Sequence, residues 1–384
     1  MMQGGINMGQ VFVSRQQLSL LPERIRKAEA TGASKEVYDY LWGLFEAKDY
    51  DAMKIMVVGA GGSYPAAVSV SHSLRNEMRT FDIEAVTPQT ALRILSQTDM
   101  TFDARYRPRY DVVVGISYSG KTPDIKAVYK DCRRRGVPFV LFTGASKNAL
   151  REDYPEDDSL KIVSYFNVED ATGREKGMIS MFSTLAPAMI FEDYAASTVS
   201  NTELLEEGER FVSMLDIPEI ARAIKKCPVI HVIYEWRTYA VAADIASKFM
   251  ESGIANVVLH EKKNFSHGCY TLLYKQDFAM VINVTKFAVE VDASTGNIEL
   301  VHCSNYDEEL DKLLRDICKK KAAIYLEMGN SMFETAEMLI EELCKLPYLI
   351  TAIGEELGVD ISKPFSPDPF PKEPIALYGY EGDF

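Results

Sequence analysis

The chain is 384 residues long, with 47% hydrophobic and 26% charged residues; this globular composition excludes fibrous, collagen-like and low-complexity classes and allows two or three domains. Its 56 acidic residues against 42 basic ones leave a net charge of −14, a diffuse negative field that argues against nucleic acid as a partner. A compact anion is still allowed, because backbone amides at a helix start hold phosphate without a basic surface.

In chain order, Leu18, Leu20 and Leu21 before Pro22, then Val37, Tyr40, Leu41 and Leu44, recur at helical spacing and predict an N-terminal helical arm over residues 1–50. Next come an apolar strand at 55–59, a helix at 63–78, a strand at 83–87, helix-like sequence from Thr87, a strand at 111–117, a helix over 122–136 ending at Gly136, and a strand at 138–144. Alternating buried strands and helices make a doubly wound parallel sheet. After a helical stretch around 177–200 the grammar restarts, with strands at 228–234, 255–260, 278–285 and 321–327 and a helix over 238–253. The expected class is therefore α/β, with two flavodoxin-like domains in tandem over 51–205 and 206–355. A proline-rich and aromatic tail completes the chain over 356–384.

The six cysteines (Cys132, Cys227, Cys269, Cys303, Cys318 and Cys344) form no CxxC pair and read as reduced, mostly packed thiols. With no signal-peptide core and no run of about 18 apolar residues, a soluble cytoplasmic protein with no membrane partner is expected. Trp42 and Trp236 are expected to be buried against helices, and His72, His231 and His302 to be isolated.

Two strand-to-helix loops carry the candidate ligand chemistry. The first is Gly59-Ala60-Gly61-Gly62-Ser63-Tyr64, whose glycines allow close approach and whose helix start offers free amides and a positive dipole end. The second is Gly115-Ile116-Ser117-Tyr118-Ser119-Gly120-Lys121-Thr122, which satisfies GxxxxGK[ST] letter for letter. Its three hydroxyls, the Pro123 that follows and the lack of a downstream magnesium strand favour instead a phosphate monoester held by serine and threonine without metal. Any single serine here is equally an ordinary helix cap. Both loops leave the carboxyl end of a parallel sheet, where such folds bind ligands.

GGSY, SYSGKT and, later, Glu175-Lys176-Gly177-Met178-Ile179-Ser180 together resemble the sugar isomerase (SIS) domain. From about residue 40 to residue 364 the chain is similar to the paired SIS domains of the isomerase half of glucosamine-6-phosphate synthase and to fructosamine-6-phosphate deglycases. This resemblance implies that Ser63, Ser117, Ser119 and Thr122 hold a phosphate, and that Gly61, Gly62, Tyr118, Glu175, Ser180 and Asp244 face the sugar.

In the second domain Asp244, Lys248 and Glu251 stand four and seven residues apart on one helix face, among Ala240, Ala242, Ala243 and Ala246. The bland alternative is an exposed ion-pair ladder. Downstream, His260-Glu261-Lys262-Lys263-Asn264-Phe265-Ser266-His267-Gly268 is not HExxH, so no metal is expected, and no cofactor. The resembled family carries a lysine and a glutamate three apart on this helix and a His-Gly pair in the next loop, which Lys248, Glu251 and His267 match. By the chemistry of these groups Glu251 is expected to be the proton-transferring base, Lys248 to stabilise a developing oxyanion or tune the glutamate, and His267 to assist ring opening. The resemblance places this histidine across a subunit interface and so implies a homodimer or higher homo-oligomer.

The departures define what is not expected. Tyr234-Glu235-Trp236-Arg237-Thr238 replaces a glycine-rich turn, so the second domain should hold no phosphate. The family's C-terminal imine-forming lysine has no counterpart in register, and no glutaminase segment precedes the first strand. Three function classes follow. The first is an enzyme on a sugar phosphate or amino-sugar phosphate, acting as an isomerase or as an amine-releasing deaminase or deglycase. The second is a non-catalytic sugar-phosphate sensor, and the third a P-loop NTPase. Presence of the base, lysine and histidine together favours the enzyme.

Overall fold

The structure, a computed structural model, describes residues 12–48, 52–97, 110–155, 157–168, 175, 179–193, 200–285, 290–291, 298–299, 305–328 and 337–362. The described residues divide into two compact units, one drawn from residues 20–175 and 180–193, the other from residues 12–19, 179 and 200–362. The tail from residue 363, Cys303 and His302 lie outside the described residues.

The first unit is built on five parallel strands, β1 (Lys54–Gly59), β2 (Asp82–Val86), β3 (Val112–Ile116), β4 (Phe139–Ala145) and β5 (Leu160–Val168), in the order β2-β1-β3-β4-β5. Strands β3 and β4 are buried along their whole length, as central strands covered on both faces must be. Val113, Phe139, Leu141, Ile125 and Val128 form part of one core cluster between sheet and helices. The helices Leu21–Glu29 and Ala33–Lys48 pack against β5 and cover the sheet's outer strand. β5 itself has no counterpart among the predicted strands. Its sequence, LKIVSYFNV, buries Val163, Tyr165 and Val168, exposes Asn167 and half-exposes the rest, a pattern too polar to stand out as a parallel strand.

The second unit repeats the plan with β6 (Val229–Tyr234), β7 (Asn256–Glu261), β8 (Met280–Asn283) and β11 (Ile324–Glu327), all parallel, in the order β11-β8-β6-β7. A short antiparallel pair, β9 (Glu290–Val291) and β10 (Ile298–Glu299), stands apart from that sheet. The helices Tyr239–Glu251, Ile217–Lys226 and Glu337–Leu357 complete the layers, the last packed against Asn201–Ser213. Relative to the first strand of each unit, both sheets follow one strand order, so the α/β, doubly wound expectation holds for each unit.

Two expectations are corrected here. Trp42 is 40% and Trp236 61% exposed: Trp42 meets Phe45 edge-on and Phe81 at a tilt, and the Arg237 guanidinium lies over the Trp236 ring. His231 is not isolated: its Nδ1 lies 2.8 Å from His260 Nε2 across adjacent strands, both rings buried between Phe278 and Phe265. Burial holds both histidines below their usual pKa, and for His231 the neighbouring imidazole adds to it. Neutral in the folded chain, the pair contributes its full stability above the unfolded value of about 6.5 and loses it as pH falls below that. Urea midpoints should therefore drop between pH 7 and pH 5, and His231→Phe should flatten that slope.

Candidate functional site

In the first unit β1 and β3 are neighbours, with Gly59 opposite Ile116. β2 lies on one side of this pair and β4 and β5 on the other, so the chain reverses its winding direction here. Both candidate loops leave the sheet at that switch point.

At the first loop the helix Ser63–Glu77 starts directly after Gly62. The Ser63 amide donates to the Ala60 carbonyl at 3.0 Å and the Tyr64 amide to the Gly61 carbonyl at 2.9 Å, and Pro65 has no N–H. The free amides expected at this helix start are thus spent inside the turn. What the loop presents is the half-buried Ser63 side chain and the exposed Gly61 backbone. Gly62 serves close approach: a Cβ there would lie 2.4 Å from Ser180 Oγ. Thr184 Oγ1 donates to the Gly62 carbonyl at 2.9 Å and ties the same segments together.

At the second loop Ser117 Oγ and Thr122 Oγ1 are hydrogen-bonded at 3.0 Å, and the Lys121 amide donates to Ser119 Oγ at 3.2 Å. Thr122 is the N-cap of the helix Pro123–Arg135 but makes no side-chain cap bond, leaving its hydroxyl turned to Ser117. The loop therefore gathers three hydroxyls at a helix start. Lys121 leans away toward Asp153, Nζ to Oδ2 at 3.9 Å, where Lys126 also binds at 2.8 Å. That geometry departs from a P-loop, whose lysine lies over the phosphates.

Glu175 and Tyr118 are held by the protein itself. The Glu175 carboxylate accepts the amides of Met181 at 2.7 Å, Phe182 at 2.6 Å and Ser183 at 3.0 Å, capping the helix Phe182–Asp193. The Glu175 amide donates to Tyr118 Oη at 3.1 Å.

In the second unit the predicted helix face forms on Tyr239–Glu251. Asp244 and Lys248 are joined in an ion pair whose side chains are 1% and 3% exposed, so the exposed-ladder alternative fails for these two. Glu251 is half-buried and accepts a hydrogen bond from Ser247 Oγ at 2.6 Å. Burial raises its carboxyl above the ordinary carboxylate range. The Ser247 bond and Lys248 oppose that shift, and Asp244 reinforces it. A carboxylate so raised is better matched to proton transfer near neutrality. Sequence reasoning missed Ser247, although its i−4 spacing from Glu251 is the signal that finds it.

His267 lies exposed in the irregular turn Phe265–Cys269, where Gly268 has φ 147°, a conformation that explains the His-Gly pairing. Among the described residues no hydrogen bond joins His267 to Glu251. In place of the glycine-rich turn, β6 runs into a short 3₁₀ turn, Trp236–Thr238, in which the Glu235 amide donates to Thr238 Oγ1 at 3.1 Å.

Comparison with known proteins agrees with this fold. Residues 50–154 match the SIS domain model. A phosphoheptose isomerase of Bradyrhizobium sp. is 29% identical over 110 residues, a match that covers 26% of this chain and 56% of the relative's length. Among solved structures, the tagatose-6-phosphate ketose/aldose isomerase of Escherichia coli superposes with a TM-score of 0.64 at 15% identity, covering 93% of this chain and 96% of its own. The C-terminal domain of glucosamine-fructose-6-phosphate aminotransferase from Francisella tularensis gives 0.60 at 14% identity, covering 94% and 100%. At these identities the structural likeness is one of fold.

Proposed function

We propose that this chain, which carries a SIS domain over residues 50–154, binds a phosphorylated sugar and moves a proton between its adjacent carbons, as an aldose/ketose or amino-sugar phosphate isomerase. The observation that carries the proposal is the hydroxyl cradle at the switch point of the first sheet. Ser117 and Thr122 are hydrogen-bonded to one another, Ser119 in the same loop accepts the Lys121 amide, and a helix starts directly behind. A phosphate monoester suits such a cradle, which offers short-range donors and no dense positive charge. The relatives whose printed names give a reaction act on sugar phosphates.

Groups of the kind that proton transfer needs are carried by the second unit. Removing a proton next to a carbonyl leaves an enediol or enolamine, and one carboxylate returns the proton to the neighbouring carbon. Glu251, raised by burial yet held by Ser247, supplies that carboxylate. Lys248, fixed by Asp244, provides the positive charge for the developing oxyanion, and His267 assists ring opening. With a 1- or 2-amino sugar phosphate the same proton transfer gives an imine, which water hydrolyses to a carbonyl and the free amine, and assay of released amine separates deglycase or deaminase action from isomerisation. A second copy of the chain is the proposed partner.

A calorimetric screen of hexose and pentose phosphates beside ATP–magnesium tests the reading. A sugar phosphate should bind, and Ser119→Ala and Thr122→Val should each weaken it by about 10- to 100-fold, the range of a hydrogen bond to a charged oxygen. Binding of ATP alone, abolished by Lys121→Ala, would overturn the proposal.

A further inference from the structure

We infer that Tyr118 and Glu175 are positioning residues that hold the Ser180 hydroxyl against the first loop, and that this arrangement sets selectivity for the sugar beyond its phosphate. The inference rests on the phosphosugar reading above.

The Glu175 carboxylate receives three consecutive backbone amides, those of Met181, Phe182 and Ser183, with one oxygen taking two of them. A carboxylate engaged in this way is a remote cap on the helix start that directly follows Ser180. What remains is to fix this cap relative to the loops, and Tyr118 does so. Its hydroxyl accepts the Glu175 amide at 3.1 Å, and its ring meets Phe182 edge-on at 5.9 Å between centroids. The tyrosine is itself held: its carbonyl accepts the Gly144 amide at 3.0 Å and Thr143 Oγ1 at 3.1 Å. The ring also lies so close to Gly144 that a Cβ there would sit 2.4 Å from it.

The capped helix start reaches the first loop. Ser180 lies against Gly62, and Thr184 donates to the Gly62 carbonyl. A line of contacts thus runs from the second loop at Tyr118, through Glu175 and the helix start, to Ser180 at the first loop. The cradle hydroxyls of Ser117, Ser119 and Thr122 make none of these bonds. Phosphate binding should therefore be indifferent to the Tyr118 hydroxyl, whereas the placement of Ser180 should depend on it.

The test combines hydrogen exchange with a double-mutant cycle. In Tyr118→Phe, amide exchange at Met181, Phe182 and Ser183 should accelerate at least severalfold. Affinity for inorganic phosphate should stay within about twofold of wild type, while affinity for the best-binding sugar phosphate of the screen falls about fivefold or more. In a Ser180→Ala background the same Tyr118→Phe change should have no further effect on sugar-phosphate affinity, because the group it positions is gone. Glu175→Gln should behave as Tyr118→Phe does. Unchanged exchange at residues 181–183, or additive losses in the double variant, would overturn the inference while leaving the phosphosugar reading intact. If wild type binds no sugar phosphate more tightly than inorganic phosphate, the reading itself falls and the selectivity claimed for Ser180 falls with it.

Discussion

Glu251→Gln is expected to leave sugar-phosphate affinity near that of wild type and to lower turnover by about 10²- to 10⁴-fold, the usual worth of a general base. The substitution keeps size and the capacity to accept the Ser247 hydrogen bond, so the helix end should stay intact. What it removes is the basic carboxylate. Exchange of the substrate's C1 or C2 hydrogen with solvent deuterium, followed by NMR, should stop in parallel with turnover. Continued exchange in the variant would exclude Glu251 from the mechanism, and tight binding by wild type without exchange for any tested sugar phosphate would favour a sensor. The pH profile adds an independent check. Because burial raises this carboxyl, the acid limb of the rate should lie above the ordinary glutamate range of about 4.3. Activity should be lost as pH falls through the raised value, since only the ionised form accepts a proton. Ser247→Ala removes a hydrogen bond that favours the ionised form and should move the limb further up.

Much of this arrangement is legible in the sequence because its signals are local. Apolar runs such as IMVVG and VVVGI, each followed by a helix, announce buried parallel strands, and both loops follow from where those strands end. The helix carrying Asp244, Lys248 and Glu251 needs only a period of 3.6 residues. The interactions that escape reading are those between segments far apart in the chain and those local contacts that depart from the common pattern. His231 and His260 are 29 residues apart and meet only because β6 and β7 pair in one register. Glu175 looks like part of a ligand motif, yet its carboxylate turns onto a helix start six to eight residues ahead. Free amides were expected after Gly62 from the general rule for helix N-termini. A tight turn onto Ala60 and Gly61, followed by a proline, leaves none at Ser63 and Tyr64. β5 escapes because an outer strand tolerates the polar residues that a central one excludes.

The burial of Asp244 and Lys248 leads to the second large effect, on stability. Asp244→Ala leaves the Lys248 ammonium, 3% exposed, without the carboxylate it binds. Breaking a buried ion pair from one side costs about 3–5 kcal/mol, because the remaining charge stays desolvated and uncompensated. Loss of a comparable amount is expected for Lys248→Met, which takes the ammonium from the buried aspartate. Replacing both with apolar residues of similar volume, as in Asp244→Leu with Lys248→Met, should recover most of the lost stability, since no lone charge remains. Activity separates the roles. If the pair served packing alone, the double variant would regain turnover along with stability; if Lys248 faces a developing oxyanion, the refolded double variant should remain impaired. Urea denaturation of the four proteins, with turnover measured well below each midpoint, makes the comparison. A single-variant loss under about 1 kcal/mol would show that water reaches the lysine and that the pair is not the buried anchor of this helix. Full turnover in the stable double variant would remove Lys248 from the chemistry and leave Glu251 to act without it.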